Sequence, residues 1–258
     1  MKNNIVLIIS FFAFNLIVSQ DLKLPTIFSD NMILQQDSVV SIWGWSKSNS
    51  QVSINVSWNK KTFKIKSNSE GKWLLKVNTP KSGKSHQITV QSNNKRVIIA
   101  NVLMGEVWIA SGQSNMQMNL NGYRNEPVFG ANDAIANSYN SEIRFFTVER
   151  NVSNIPLENL EGKWSISNQE NSPFFSAVAY SFAKYLNTVL DYPVAIIHTS
   201  WGGTPAEAWS DSKSLQIDFE KSEIKNHGGT PQHEPSSLYN AMIYPLTNYS
   251  IKGAIWYQ

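Results

Sequence analysis

Ser114 stands between two amide side chains, Gln113 and Asn115, within the stretch GEVWIASGQSNMQM from Gly105 to Met118. A serine hydroxyl attacks an ester carbonyl when a base takes its proton and N–H donors meet the oxyanion that forms. The setting of Ser114 suits that chemistry. Val107-Trp108-Ile109-Ala110 is a short apolar run of the kind that makes a strand buried on both faces, and Ser111-Gly112 ends it with a turn signal. Just past the carboxyl end of a strand is where open α/β sheets place their ligands. On a sharp turn there, the serine's own backbone N–H points at the developing oxyanion. Serine beside glycine is also ordinary turn chemistry, so GxS alone leaves a plain turn open.

A second block, SWGGTPAEAW, puts Gly202-Gly203 at the end of the apolar run Val194-Ala195-Ile196-Ile197. Glycine lets backbone approach a ligand closely, and a helix N-terminus offers unpaired N–H groups. Thr204-Pro205-Ala206-Glu207 reads as a capping box that opens such a helix. Gly203, with Gly202 beside it, is therefore a candidate oxyanion donor, although a glycine turn that only caps a helix has the same local pattern. Gln113, Asn115, Trp201 and Asn240 are the candidates for substrate contact. Asn240, the conspicuous polar residue of PSSLYNAMIYPL, either orients substrate or satisfies a backbone group.

The elements that position these blocks differ along the chain. From Leu24 to about Met104 the period is two: Val52, Ile54, Val56 and Trp58 alternate with polar residues, as do Phe63 and Ile65, and Trp73, Leu75 and Val77. Turn signals at Lys47 to Ser50, Asn68 to Gly71 and Thr79 to Gly83 suit a small antiparallel sandwich over residues 21–104. Trp43 and Trp45 offer a sugar platform, with core or inter-domain packing the stronger reading. After Ser114, helices and strands alternate. A short helix is expected at Ala131 to Asn137, a strand at Ile143 to Val148, and a helix carrying Phe175, Val178, Ala179, Phe182, Leu186 and Leu190, capped by Ser172-Pro173. Strand, helix, strand in this order predicts a parallel, flavodoxin-like sheet in an α/β domain over residues 105–258. Residues 211–235, with His227 and His233, read as an insertion or lid, and Gly253 to Gln258 as another buried strand at which the sequence stops.

The string GQSNM after GEVWIASG closely resembles the nucleophile block of the SGNH-type carbohydrate acetylesterases, in particular the sialate O-acetylesterases. SWGGT and GAIWYQ follow in that family's order, and the opening LPTIFSDNMILQQDSVVSIWGW resembles its leading β-domain. The resemblance implies an SGNH hydrolase fold, with Ser114 as nucleophile and the second-block glycine as N–H donor to the oxyanion. It also implies that Gln258, the Gln of WYQGESN in the family, donates to the oxyanion through its side chain. The substrate implied is an acetylated sugar or sialoglycan. In the family the base comes from a DxxH block, and no DxxH occurs in these 258 residues. His86 belongs to the β-region, and His198, at the end of AIIHTS, reads as packed or substrate-facing rather than as the base. Two expectations follow: an amino-terminal part of a longer esterase, or a non-catalytic glycan-binding protein.

Composition bounds the rest. A hydrophobic content of 41% with 16% charged residues describes a globular chain. The net charge of +3 is small, and only pairs such as Lys60-Lys61 and Lys95-Arg96 gather cations, so nucleic acid is not an expected partner. The mechanism asks for no cofactor, and the spacing of His227 and His233 supports no metal site. Lys2, the apolar stretch Ile5 to Val18 and the small Ser19 make residues 1–20 a signal peptide, which predicts a periplasmic or secreted protein with no membrane span after cleavage. The chain has no cysteine, so the exported fold is held by its core alone. Sequons at Asn55, Asn151 and Asn248 matter only in a eukaryotic pathway. Nothing in the sequence sets an oligomeric state.

Overall fold

A computed structural model describes residues 21–218, 220, 224 and 229–258. The expected signal peptide and His227 lie outside them, as do residues 219, 221–223 and 225–228 of the expected lid. The strands are β1 (Ile33–Gln35), β2 (Val39–Trp45), β3 (Gln51–Val56), β4 (Thr62–Lys66), β5 (Lys72–Asn78), β6 (His86–Ser92), β7 (Lys95–Gly112), β8 (Asn140–Val148), β9 (Gly162–Ser167), β10 (Val194–Ser200) and β11 (Gly253–Tyr257). The α-helices are α1 (Ser114–Gln117), α2 (Ala131–Ala136), α3 (Ala177–Leu190) and α4 (Ser212–Asp218).

The whole architecture hangs on β7. Its first half pairs antiparallel with β6, so that β4-β3-β6-β7 is an antiparallel sheet facing the β2–β5 ribbon. Its second half pairs in parallel with β10 on one side and β11 on the other. β10 continues in parallel to β8, and β9 closes that edge antiparallel. The carboxyl-terminal part is thus the mostly parallel, flavodoxin-like α/β sheet that the alternation predicts, with an antiparallel β-region before it. The expected boundary at 104/105 falls inside β7, with no linker.

Burial explains the two sequence rhythms. All seven residues of β10, VAIIHTS, are buried because α3 covers one face of the sheet and the segments after β10 cover the other. On the α3 side Ile196, Phe145 and Ala110 meet Phe175, Ala179, Tyr180 and Ala183. On the opposite side Ile197, Phe146 and Val107 share one cluster with Trp209, Leu238 and Met242, and this cluster runs on into Val52, Ile54, Ile88 and Val90 of the β-region. Each such side chain contributes about 1.5–3 kcal/mol on burial, so the two regions cohere through a common core.

Several local expectations are corrected. The first predicted strand ends at Val56, and Trp58 lies in the turn beyond it, where its indole N–H donates to the Asn78 carbonyl at 2.9 Å. The cap of α3 is Ser176, whose hydroxyl accepts from Ala179 N–H at 3.1 Å, because Ser172 and Pro173 form a separate 3-10 turn and the Ser172 hydroxyl is engaged with Ser167. No capping box forms at 204–207, since the Thr204 hydroxyl donates to the Trp201 carbonyl, and Ala206–Trp209 makes only a 3-10 turn. PSSLYNAMIYPL becomes a π-turn at Tyr239–Ile243 and a 3-10 turn at Tyr244–Leu246. β11 is an edge strand rather than a buried one: Trp256 and Tyr257 are nearly half exposed because, among the described residues, only β7 pairs with it. Arg144 is a charge hidden inside the apolar run IRFFTV. It is 2% exposed, donates to the carbonyls of Asn101 and Ser141, and burial lowers its pKa to about 10.

Candidate active site

β7 delivers the serine. At its last residue, Gly112, φ is +135°, and a Cβ there would lie 2.1 Å from the Tyr257 carbonyl oxygen. Only glycine admits this conformation and this approach of β11. The chain then turns: Gln113 N–H donates to the Tyr257 carbonyl at 3.0 Å, and α1 begins at Ser114. Buried Met116 anchors the turn in the core beneath α3, and Ala177 N–H donates to the Met118 carbonyl at 2.8 Å. Ser114 and Asn115 are left exposed at the tip. Among the described residues the Ser114 hydroxyl makes no hydrogen bond, so it is free to meet a ligand.

The second block lies against it. β10 runs beside β7 in register, Ser200 opposite Gly112, and Trp201 N–H donates to the Gly112 carbonyl at 3.2 Å. A Cβ built on Gly202 would stand 3.4 Å from the Ser114 Cα and Cβ, while Gly203 has φ +78° and open space around it. Two glutamines one helical turn apart join the blocks. Gly202 N–H donates to Gln117 Oε1 at 2.7 Å, and Gly203 N–H donates to Gln113 Oε1 at a looser 3.3 Å. Gln117 also donates through Nε2 to the Tyr123 hydroxyl at 3.2 Å. Thr204 fixes the turn through its hydroxyl, which accepts from the Trp209 indole at 2.8 Å. The third block reaches the second: Gln258 Nε2 donates to the Thr204 carbonyl at 2.9 Å.

The structure therefore brings together Ser114, Gln113, Gly202, Gly203 and Gln258. Trp201 is half-buried, with the Arg150 guanidinium 5.2 Å from its ring centroid. Asn240 is buried elsewhere in this arrangement, and its Nδ2 donates to the Ser153 carbonyl at 3.1 Å. Gln117, Tyr123 and Arg150 were not singled out from sequence. The i, i+4 spacing of Gln113 and Gln117 was the one signal available, since it places both amides on the same side of a helical turn. Among the described residues no group of three or more His, Asp or Glu side chains converges on a metal position.

Gln117→Ala removes the acceptor of Gly202 N–H, and a hydrogen bond of this kind contributes about 1 kcal/mol. The expected result is a roughly fivefold fall in Ser114-dependent ester cleavage, with the melting temperature lowered by no more than a few degrees. Equal activity in the variant would show that the turn keeps its position unaided.

His198 lies below this site, its Nε2 2.7 Å from the Ser200 hydroxyl and its ring edge-on to Phe175. Burial lowers its pKa to about 4, further helped by the nearby Arg150 charge and opposed by a hydrogen bond to the Met116 backbone. It is neutral and committed to Ser200 rather than available to Ser114. The unfolded chain protonates this imidazole as the pH falls through about 6.5, while the folded chain keeps it neutral down to about 4. The unfolded state binds the extra proton in that window, so stability is lost as the pH falls through it, by roughly 3 kcal/mol at full effect. In urea titrations the wild-type advantage over His198→Gln is expected near neutral pH and to shrink toward the lower pKa. A pH-independent gap would contradict a neutral buried imidazole.

No family model matches the chain. The likeness carried by the three blocks nevertheless extends over most of it. The human sialate O-acetylesterase is 31% identical, and the alignment covers 92% of this chain and 48% of that protein. The Pongo abelii sialate O-acetylesterase is 30% identical with the same coverage, and that of Rattus norvegicus is 29% identical over 90% of this chain and 51% of its own length. In structure, a carbohydrate acetylesterase from Xanthomonas citri matches with a TM-score of 0.82 and 31% identity, covering 92% of this chain and 51% of that one. The chain spans about half the length of the curated relatives it matches.

Proposed function

We propose that the chain carries the nucleophile and oxyanion side of a serine esterase that removes O-acetyl groups from sialic acid or related acetylated glycans. One observation carries this reading: the exposed, uncommitted Ser114 hydroxyl stands at a strand-end turn with the Gly202 backbone packed against it. The names of the sequence and structural relatives supply the acetyl ester. In the reaction a base takes the Oγ proton and Oγ attacks the acetyl carbonyl carbon. The tetrahedral oxyanion takes hydrogen bonds from the Ser114 and Gly203 N–H groups, the latter giving up its 3.3 Å contact with Gln113. Collapse breaks the bond to the sugar oxygen, which receives the proton, and water then releases acetate from acetyl-Ser114.

Gln113 and Gln258 enter this scheme as holders of the second-block turn, Asn115 and Trp201 as the side chains toward substrate, and Asn240 as a support behind them. The base is the part that the resemblance assigns to a DxxH block, and imidazole in the buffer stands in for it. With imidazole present, acetate release from O-acetylated sialic acid that disappears in Ser114→Ala is the expected result. Release from other acetylated sugars alone would overturn the sialate half of the reading. Saturable binding of acetylated sialic acid with no Ser114-dependent release would favour the glycan-binding alternative. Residues 1–20 support export to the periplasm or medium, and amino-terminal sequencing of the exported protein is expected to begin near Gln20.

A further inference from the structure

A cavity of about 330 Å³ opens between the β2–β5 ribbon and the turn Tyr244–Leu246, and it shares no residue with the Ser114 site. Three indoles, Trp43, Trp45 and Trp73, line it. The ribbon is built to hold them: Gly44 pairs with Trp73, and a Cβ at Gly44 would lie 2.9 Å from the Trp73 ring and 2.4 Å from the Lys23 carbonyl oxygen. The Tyr244 ring, 40% exposed, stands at the opening.

Polar groups sit among these rings in a definite arrangement. Lys72 is ion-paired to both Glu158 and Glu70, and Glu158 also accepts from the Trp45 indole at 3.2 Å. The pair stays charged, since each partner shifts the other's pKa toward its ionised form. Lys72 and Glu158 remain about half exposed and reachable from the cavity. The Trp73 indole N–H is buried and, among the described residues, has no acceptor. Most of the indole surface serves the core, and the Lys72–Glu158 pair lines the cavity beside it.

We propose that this cavity is a second glycan site, which takes one neutral pyranose ring. A pyranose has an apolar C–H face that packs on aromatic walls and hydroxyls that both donate and accept. Glu158, Lys72 and Asn248 supply the matching polar partners, and a small cavity with apolar walls and a few placed polar groups is the usual form of a small-ligand site. Charge decides for a neutral ring: Lys72 and Glu158, the charged side chains of the lining, are paired with each other, so an anionic sugar finds no unpaired cation on this wall. This proposal goes beyond the Ser114 reading and does not depend on it.

Ligand-observed NMR on the 258-residue polypeptide tests it, with galactose, glucose and N-acetylglucosamine as probes and free sialic acid as the anionic comparator. Expected is saturable binding of at least one neutral sugar in the millimolar range, unchanged in Ser114→Ala. Tyr244→Ala and Glu158→Gln should each weaken it about tenfold, the scale of one lost charge-assisted hydrogen bond or ring contact. Tyr244→Ala carries the test if Glu158→Gln fails to fold. No saturable signal from any neutral sugar, binding of sialic acid alone, or neutral-sugar binding that survives both variants or vanishes with Ser114→Ala would each overturn the proposal.

Discussion

Replacing Ser114 by alanine is expected to reduce cleavage of 4-nitrophenyl acetate in imidazole buffer to the rate of buffer alone. The variant keeps the turn, because the backbone bonds of α1 and the burial of Met116 do not involve the hydroxyl. What is lost is the hydroxyl proposed above to form the acyl bond. A positioned proton transfer contributes about 10²–10⁴ in rate, and free imidazole recovers part of that, so a difference on the order of 10²-fold or more is predicted. Matching melting curves for the two proteins would assign the loss to chemistry. An unchanged rate in the variant would move the nucleophile elsewhere.

The second large effect is structural and falls two residues earlier. Gly112→Ala is expected to cost on the order of 4 kcal/mol, combining a backbone conformation that L side chains avoid with a collision against β11. The Cβ at 2.1 Å from the Tyr257 carbonyl oxygen meets backbone, which cannot rotate away. The β7–β11 pairing opens, and with it the Gln113 N–H bond that starts the turn carrying Ser114. Gly203→Ala offers the contrast. Its φ of +78° is also left-handed, but nothing lies within 4 Å of the new Cβ, so a cost of about 1–2 kcal/mol is expected. Urea denaturation of the two variants separates them. Similar midpoints would mean that β11 yields to the methyl group.

Much of this arrangement was legible because it rests on local pattern. The apolar runs of β7, β8 and β10 and the 3.6-residue period of α3 are direct consequences of burial on two faces or one, and the order of the elements then fixes a parallel sheet. The serine could be placed at a strand end for the same reason. Other choices are settled by partners that only the folded chain brings together. Ser176 rather than Ser172 caps α3 because Ser167, five residues from Ser172, already engages that hydroxyl. β7 runs unbroken through Gly105 because β1 and the Pro193 backbone flank it there, which local composition does not reveal. Arg144 passed as part of an apolar strand because two of its partners, the Asn101 and Met32 carbonyls, lie more than forty residues away. Gln117 likewise takes its role from a residue far along the chain, the Gly202 N–H that donates to it.

Covalent capture asks whether Ser114 is the nucleophile proposed above. The polypeptide is treated with a fluorophosphonate in imidazole buffer, its intact mass is measured, and the adduct is located by peptide mapping. One adduct is expected, on the peptide that carries Ser114, and none in Ser114→Ala. The contradicting result is an adduct that persists in that variant or maps to Ser200, whose hydroxyl already touches the His198 imidazole at 2.7 Å.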